Sequence, residues 1–507
     1  MIFAESNPNP QNSDSTKENT LHIVEGSSRE EVVQRLNIEN FILRPDGSAV
    51  SDQSVTKSDF ESNPATEALW ESICNPNKGP TTLPSIKEVK RLGLAEVDEN
   101  SDRGHFRFYP KGALVYQLIR EWQEALLINR YEASAIKTPF IYSWRDPRYV
   151  EEAQSFANEL YYVYPPSERA EKRNDLSSAS SKEVAEEFVL RFGGDFGLFG
   201  LIGSMQFTHR QMPTRVYEFA ESFRYEKSGN LRGINRARAF SFFDIHSICG
   251  DFESGCKEFA WWFKEHVDLT RELNMEFTVH LSVVKDFYEK HGKYIGQLAE
   301  IAGIPLVLEI LSGPKHYWDV KYMFYDEHGK DFFNNQLDFS NGQRFDISYI
   351  DKDGKKQPCS ICHASLGSME RWIVHGMERA LLKNQPTLPL WLSPTQVRLM
   401  PIKGAFVEPC IELAHELNIR HGIRADVDDR GADIRSQIAQ AHSEWCPYWI
   451  VYGKKEAEGQ AFNVEQRGGE RMVMDRERLI TYLTSQTKGF PFRPLLPLQL
   501  SKRPRVQ

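Results

Sequence analysis

The stretch from Phe223 to His246, FRYEKSGNLRGINRARAFSFFDIH, constrains this chain more than any other. It reads as strand, loop, strand. The first arm carries Arg224 and Glu226, and the turn-prone loop Lys227-Ser228-Gly229-Asn230 follows. The return arm runs through Arg236 and Arg238 to Phe240, Asp244 and His246. Strand residues two apart face the same way. Arg224 and Glu226 are therefore expected on one face, and Arg236, Arg238 and Phe240 on one face of the return arm. A hairpin with a cation on each arm suits a polyanion such as a nucleoside triphosphate. An aromatic on the same face can stack on a base. The plainer reading is a surface hairpin whose charges are simply solvated.

The spacing f-R-x-E, loop, R-x-x-x-F resembles motif 2 of the class II aminoacyl-tRNA synthetases. Two flanking segments fall in the order of that class. Upstream, apolar residues Leu114, Ile119, Trp122, Leu126 and Leu127 recur at helical spacing, and YEASAIKTPFI with Pro139 follows. A long helix and then a strand ending at a proline resembles motif 1, which implies a homodimer interface. Taken alone, Pro139 is only a strand terminator. Downstream, HASLGSMERWIVHGMERALL places Gly367 and Ser368 before a helix carrying Glu370 and Arg371. This resembles motif 3, in which an arginine at the helix start contacts the ATP γ-phosphate. Glycine there lets the backbone come close.

Length and composition set outer bounds. The chain has 507 residues, enough for two or three domains, with 40% hydrophobic and 26% charged residues, as in globular proteins. A formal net charge of −9 argues against general nucleic-acid binding but allows a local basic surface. No apolar leader and no run of about 18 apolar residues is found, so no membrane segment is expected. Seven scattered cysteines read as reduced thiols, and a cytoplasmic location is expected. Residues 1–80 read as a polar, partly disordered extension. Residues 81–385 read as an α+β domain on an antiparallel sheet, followed by a small α/β domain over 386–507, where β-α-β-α-β alternation recurs.

Beyond the class, the chain resembles the archaeal-type threonyl-tRNA synthetases. The resemblance is carried by HFRFYPKGALV, RVYEFAESFRYEKSGNLRGINRARAF, DIH at 244–246, NQLDF at 335–339, HASLGSMERW, LPLWLSPTQVRLMPI, EWCPYWIVYGKKE and GFPFRPLLPLQLSKRP. It covers about residue 84 to the end. It implies the class II synthetase fold with a C-terminal anticodon-binding domain, ATP and Mg²⁺, L-threonine and tRNA(Thr) as substrates, and a homodimer. By that resemblance Arg224 holds the α-phosphate, Arg371 the γ-phosphate, Glu226 the adenine amino group and Phe240 the ring. Arg236, Gln336 and Ser368 complete the ATP site, and Asp244 accepts from the substrate hydroxyl. Glu458 and Arg467 match anticodon-contacting positions, while Gly431 stands where the family's asparagine is expected.

The family holds an amino-acid-reading zinc with one cysteine and two histidines. The histidines match His246 and His363, and the cysteine position falls on Asp195. A carboxylate is a legitimate zinc ligand, harder than a thiolate. Asp195 therefore either completes an Asp–His–His zinc site or binds the substrate ammonium directly. Cys359-Ser-Ile-Cys362-His363 spells a haem-attachment pattern. It lacks an export signal and is read as fortuitous, although Cys359 or Cys362 could supply a replacement thiolate. The N-terminal region is too small for an editing domain, so no editing in cis is expected, with a separate editing protein as partner. The competing readings are a paralogue with altered amino-acid or acceptor choice, and a non-catalytic tRNA-binding relative.

Overall fold

The computed structural model describes residues 2–4, 21–23, 37–74, 83–143, 146–148, 150, 159–164, 188–313, 318–326 and 329–504. The chain divides into two compact units. The first lies within Met1–Gly79, Tyr131–Lys227 and Ala239–Ser368, and the second within Pro80–Arg130, Ser228–Arg238 and Met369–Gln507. The principal helices in chain order are α1 (Pro64–Cys74), α2 (Pro110–Asn129), α3 (Asp195–Gly203), α4 (Phe252–Glu272), α5 (Lys285–Ala302), α6 (Met369–Leu381), α7 (Val407–His421), α8 (Ile434–Ser443) and α9 (Arg476–Ser485). Among the described residues no helix is long and apolar enough to cross a membrane.

The first unit is built on a ten-stranded sheet. Its strands are β1 (Asn37–Leu43), β2 (Ala49–Ser51), β3 (Ser134–Ala135), β4 (Thr214–Phe223), β5 (Ala239–Cys249), β6 (Phe277–Val284), β7 (Leu306–Ser312), β8 (Val320–Asp326), β9 (Asp331–Asp338) and β10 (Ser360–Ser368). They lie in the order β2-β1-β7-β6-β8-β9-β10-β5-β4-β3. The pairs β6–β7 and β4–β3 are parallel and the other neighbours antiparallel. One face is sealed by α4 and α5. Phe259, Trp262, Phe263 and Val267 of α4 recur at helical spacing, and all are fully buried. Phe259 and Phe263 meet Tyr322 and Phe324 of β8, and the odd residues Leu281 and Val279 of β6 pair directly with those two. The even residues point to the opposite face, which carries the polar groups described below.

Three features differ from the sequence expectation. Residues 37–74, expected to precede the globular part, supply the sheet edge: β1 pairs along its length with β7. Thr66 of α1 hydrogen-bonds Thr278 of β6 and the Pro305 carbonyl. The polar composition of this stretch hides a single apolar strand, and Ile42 and Leu43 are buried. Second, the central hairpin is shorter than read. Its strands stop at Phe223 and restart at Ala239, so Arg224, Glu226, Arg236 and Arg238 lie in the connection. The Glu226 N–H bonds the Arg224 carbonyl, a tight turn that ends the ladder, and Gly233 sits at φ +56° in a further turn. Third, QRFDISYIDKDGK, inside the domain expected to rest on one antiparallel sheet, splits. It gives a short helix, Asn341–Arg344, and a strand, Ser348–Ile350, in a separate three-stranded sheet.

The second unit contains a five-stranded sheet of β11 (Val397–Pro401), β12 (Ala425–Val427), β13 (Tyr448–Tyr452), β14 (Phe462–Gln466) and β15 (Arg471–Met474), ordered β12-β11-β13-β14-β15. The first three are parallel and joined through α7 and α8. β11 is buried along its whole length, as a central parallel strand covered on both faces must be. Within this unit α2 packs on α6, with Trp122 against Trp372 and Trp391.

Candidate active site

Three donor side chains converge on the polar face of the large sheet. His246 on β5 and His363 on β10 are directly paired across the ladder, and directly opposed residues share a face. Asp195 arrives from outside the sheet, as the first residue of α3 after the Arg191–Gly194 loop. His246 Nε2 lies 3.0 Å from Asp195 Oδ1 and 3.0 Å from His363 Nδ1, and His363 Nδ1 lies 3.3 Å from Asp195 Oδ1. Asp195 can come this close because residue 194 is glycine. A Cβ there would stand 1.8 Å from Asp244 Oδ2.

His246 is fully buried and His363 nearly so. The Phe199 ring meets both imidazoles edge-on, with centroids at 5.9 and 5.6 Å. His246 Nδ1 and His363 Nε2 have no hydrogen-bond partner. Burial works to raise the Asp195 carboxyl, but hydrogen bonds with His246 and His363 outweigh it and hold it below the usual carboxylate range. Asp244 behaves oppositely. Its own burial, and then the charge of Asp195, push it well above that range.

The donor set fits a divalent metal. Ligands about 2.0–2.1 Å from zinc in tetrahedral geometry stand about 3.3–3.4 Å from one another, and the separations here are 3.0–3.3 Å. It is also the group of three such residues, among those described, whose donor atoms come this close. The cysteines are elsewhere. Cys362 alternates with His363 along β10, and its thiol approaches the Gly255 carbonyl of α4 on the opposite face. All seven cysteines are free.

The floor beside the trio is polar across several strands. Directly paired residues run from His246 to His363, Gln336, Lys321, Ser282 and Glu309. At the other side the Arg224 guanidinium stands 5.3 Å from the Phe240 ring, and its Nε donates to the Phe192 carbonyl at 2.9 Å. Glu226 is buried. Ser368 closes β10 opposite Phe242, across a bulge in which Gly367 adopts φ +79°. Arg236 and Arg371 belong to the second unit, Arg371 in the first turn of α6. Arg238, expected beside Phe240, is instead buried in an ion pair with Asp102.

A family profile described as the core domain of class II tRNA synthetases (G, H, P, S and T) matches residues 180–379. An anticodon-binding-domain profile matches residues 396–486. The threonine–tRNA ligase of Methanocaldococcus jannaschii is 32% identical over 444 residues, covering 83% of this chain and 68% of that protein. That of Thermococcus kodakarensis is 31% identical over 489 residues, covering 92% and 74%. The chain belongs to the threonine–tRNA ligase family. Two solved structures from Cryptosporidium parvum share the fold. The RNA-binding domain of a threonyl-tRNA synthetase gives a TM-score of 0.66 at 22% identity, covering 80% of this chain and 98% of that one. A prolyl-tRNA synthetase bound to L-proline and AMP gives 0.58 at 13%, covering 79% and 74%.

In this threonine–tRNA ligase relative the two anticodon-domain candidates sit differently. Glu458 follows a short helix and is exposed, 3.5 Å from Lys454. Arg467 is partly buried, and its Nη1 donates to the His442 carbonyl near the end of α8. Sequence reading passed over Arg191, Glu218 and Thr138. Their signal was an arginine inside the apolar run FVLRFGG.

Proposed function

We propose that the chain activates L-threonine with ATP and transfers it to tRNA(Thr). The observation that carries this is the convergence of Asp195, His246 and His363 inside a class II core. In the first step the amino-acid carboxylate attacks the α-phosphate and pyrophosphate leaves. The ribose hydroxyl at the tRNA 3′ end then attacks the adenylate carbonyl. Positioning and charge neutralisation do most of the work.

Arg224 neutralises the α-phosphate, and Arg371 meets the γ-phosphate with a planar guanidinium. Phe240 stacks on the adenine, Glu226 accepts from its amino group, and Arg236, Gln336 and Ser368 complete the ATP site. Asp195, His246 and His363 hold zinc. When bound, zinc supplies a Lewis-acidic centre for the threonine amino and hydroxyl groups, as Mg²⁺ supplies charge for the phosphates. Asp244, beside this centre, takes the substrate hydroxyl. Its raised carboxyl suits a group that exchanges a hydrogen bond with a neutral hydroxyl. Glu458 and Arg467 contact the anticodon, and the working form is a homodimer.

Such a centre rejects valine, which has a methyl where threonine has its hydroxyl. Serine lacks only a methyl, and a pocket separates such pairs by only about 1–3 kcal/mol. Removal of serine mistakes is assigned to a separate editing protein. Hydrolysis of seryl-tRNA by the purified chain would remove that assignment.

The decisive assay is ATP–pyrophosphate exchange across all amino acids, with metal content measured on the same sample. Threonine-selective exchange with about one zinc per chain is expected. Exchange with a different amino acid would make the chain a paralogue, and threonine exchange without zinc would give Asp195 the ammonium instead.

A further inference from the structure

A buried charge pair holds the loop that delivers Asp195. Arg191 is 1% exposed and Glu218 3%. The Arg191 Nε donates to the Glu221 carbonyl at 2.7 Å, and its Nη1 meets Thr138 Oγ1 at 3.2 Å and Glu218 Oε1 at 3.0 Å. Glu218 in turn accepts from the Thr138 N–H at 2.8 Å and the Thr138 hydroxyl at 2.7 Å. The Arg191 backbone is pinned as well: its N–H bonds the Phe140 carbonyl, and its carbonyl accepts from Phe223 N–H. From there each step of the loop rests on a group of the proposed site. The Phe192 carbonyl is held by Arg224, Gly194 lies on Asp244, and Asp195 meets both histidines.

An ion pair at this depth is a poor device for stability. Desolvation costs several kcal/mol per ion, and well-packed apolar replacements are often neutral or stabilising. What a guanidinium supplies is direction, since its donors lie in one rigid plane. The pair also answers a local electrostatic conflict. Glu218 stands directly opposite Asp244 across β4 and β5, and like charges so placed repel.

We propose that Arg191 and Glu218 are positioning residues for the amino-acid pocket, setting the Arg191–Asp195 loop so that Asp195 meets His246 and His363 while Gly194 lies against Asp244. The inference rests on the reading that Asp195 and Asp244 serve the amino acid.

The test compares wild type, the double variant Arg191→Met with Glu218→Leu, and Arg191→Lys. The double variant removes both charges together and so avoids stranding either one in the core; circular dichroism checks its fold. Zinc transfer to a chromophoric chelator and the KM values for threonine and ATP in pyrophosphate exchange are read on each. In the double variant, zinc release and the threonine KM are expected to rise about 10–100-fold, the range for groups that orient metal ligands. The ATP KM is expected to rise far less than the threonine KM, because the loop touches the ATP residue Arg224 only through the Phe192 carbonyl. Arg191→Lys keeps the charge but not the planar fork, and is expected to resemble the double variant. A folded double variant with wild-type zinc release and threonine KM overturns the proposal. So does an ATP KM that rises in step, or full recovery with lysine. Wild type that holds no zinc and shows no threonine-dependent exchange overturns the underlying reading first, and this inference with it.

Discussion

Two buried polar clusters in this chain look alike in composition and differ in how they close. In the second unit, Arg398 on β11 donates to both oxygens of Asp426 on β12 at 2.9 and 3.0 Å, and Arg503 meets Asp426 Oδ2 at 2.8 Å. Glu444 is met by Arg398 at 3.0 Å and by Lys111 at 2.7 Å. Each carboxylate faces two cations, and the network is complete without help, apart from Arg398 Nη1, which has no acceptor. In the first unit, Asp195 Oδ1, His246 Nε2 and His363 Nδ1 crowd within 3.3 Å of one another, while the outer ring nitrogens, His246 Nδ1 and His363 Nε2, have no partner. Three donor atoms so close to one point are an arrangement that a divalent cation would complete. A structural network satisfies itself, whereas a binding site leaves a debt that a ligand settles.

The sharpest way to break this contrast is to remove one member of each cluster. Asp426→Ala strands Arg398 in the core and is expected to destabilise the fold by about 3–5 kcal/mol in urea titration, with the threonine KM unchanged in the folded fraction. Asp195→Asn is expected to do the reverse. Zinc affinity should fall about 100-fold, a loss of about 2.8 kcal/mol, while metal-free thermal stability holds or improves, as for other site residues replaced by inert ones. Equal stability losses in both variants would erase the distinction. The same contrast predicts the response to metal. Zinc at about 100 times the wild-type dissociation constant should stabilise wild type by about 2.7 kcal/mol and Asp195→Asn by only about 0.4 kcal/mol.

A milder probe is acid. Burial raises both carboxyls, but Arg398, with Arg503 at Asp426 and Lys111 at Glu444, pulls each below its ordinary range. The unfolded chain then binds more protons, so stability is fully present above about pH 4.3, the ordinary range for these groups, and drains away as pH falls below it. Glu444→Gln should flatten that acid limb in melts collected from pH 5 downward; an unchanged limb would remove Glu444 from the account. The smallest effects belong to the anticodon candidates. Glu458→Ala should leave stability within about 0.5 kcal/mol, being exposed, and raise the KM for tRNA. Arg467→Ala should raise that KM and also cost about 1 kcal/mol through its lost bond to the His442 carbonyl.

Local chemistry was legible in the sequence wherever it repeats at short range. The periodicity of Phe259, Trp262, Phe263 and Val267 announced α4, and the alternation after Pro386 announced the parallel strands and helices of the second sheet. Gly367 before Arg371 announced a special backbone, which is the bulge ending β10. The central hairpin was read too long because alternation continues through Arg224 and Arg236, and a tight turn leaves no trace in hydrophobic pattern. The stretch up to Leu43 reads as a little structure within the polar extension and not as a sheet strand, because seven residues give too short a signal, and pairing with β7, far along the chain, supplies the reason the strand forms.

The sequence by itself therefore determined which elements form and which chemical groups are on offer: two arginine-bearing arms, a glycine-led helix, two histidines and an aspartate where a thiol was expected. Those choices depend on neighbours a few residues away. Only the tertiary structure decided that His246 and His363 stand side by side, that Asp195 reaches them, and that Cys362 turns away. Strand register sets every side chain on one face or the other, and register is fixed by burial across the whole sheet. The role of Arg191 was equally invisible, since its meaning lies in Thr138 and Glu218, which only the folded chain brings to it.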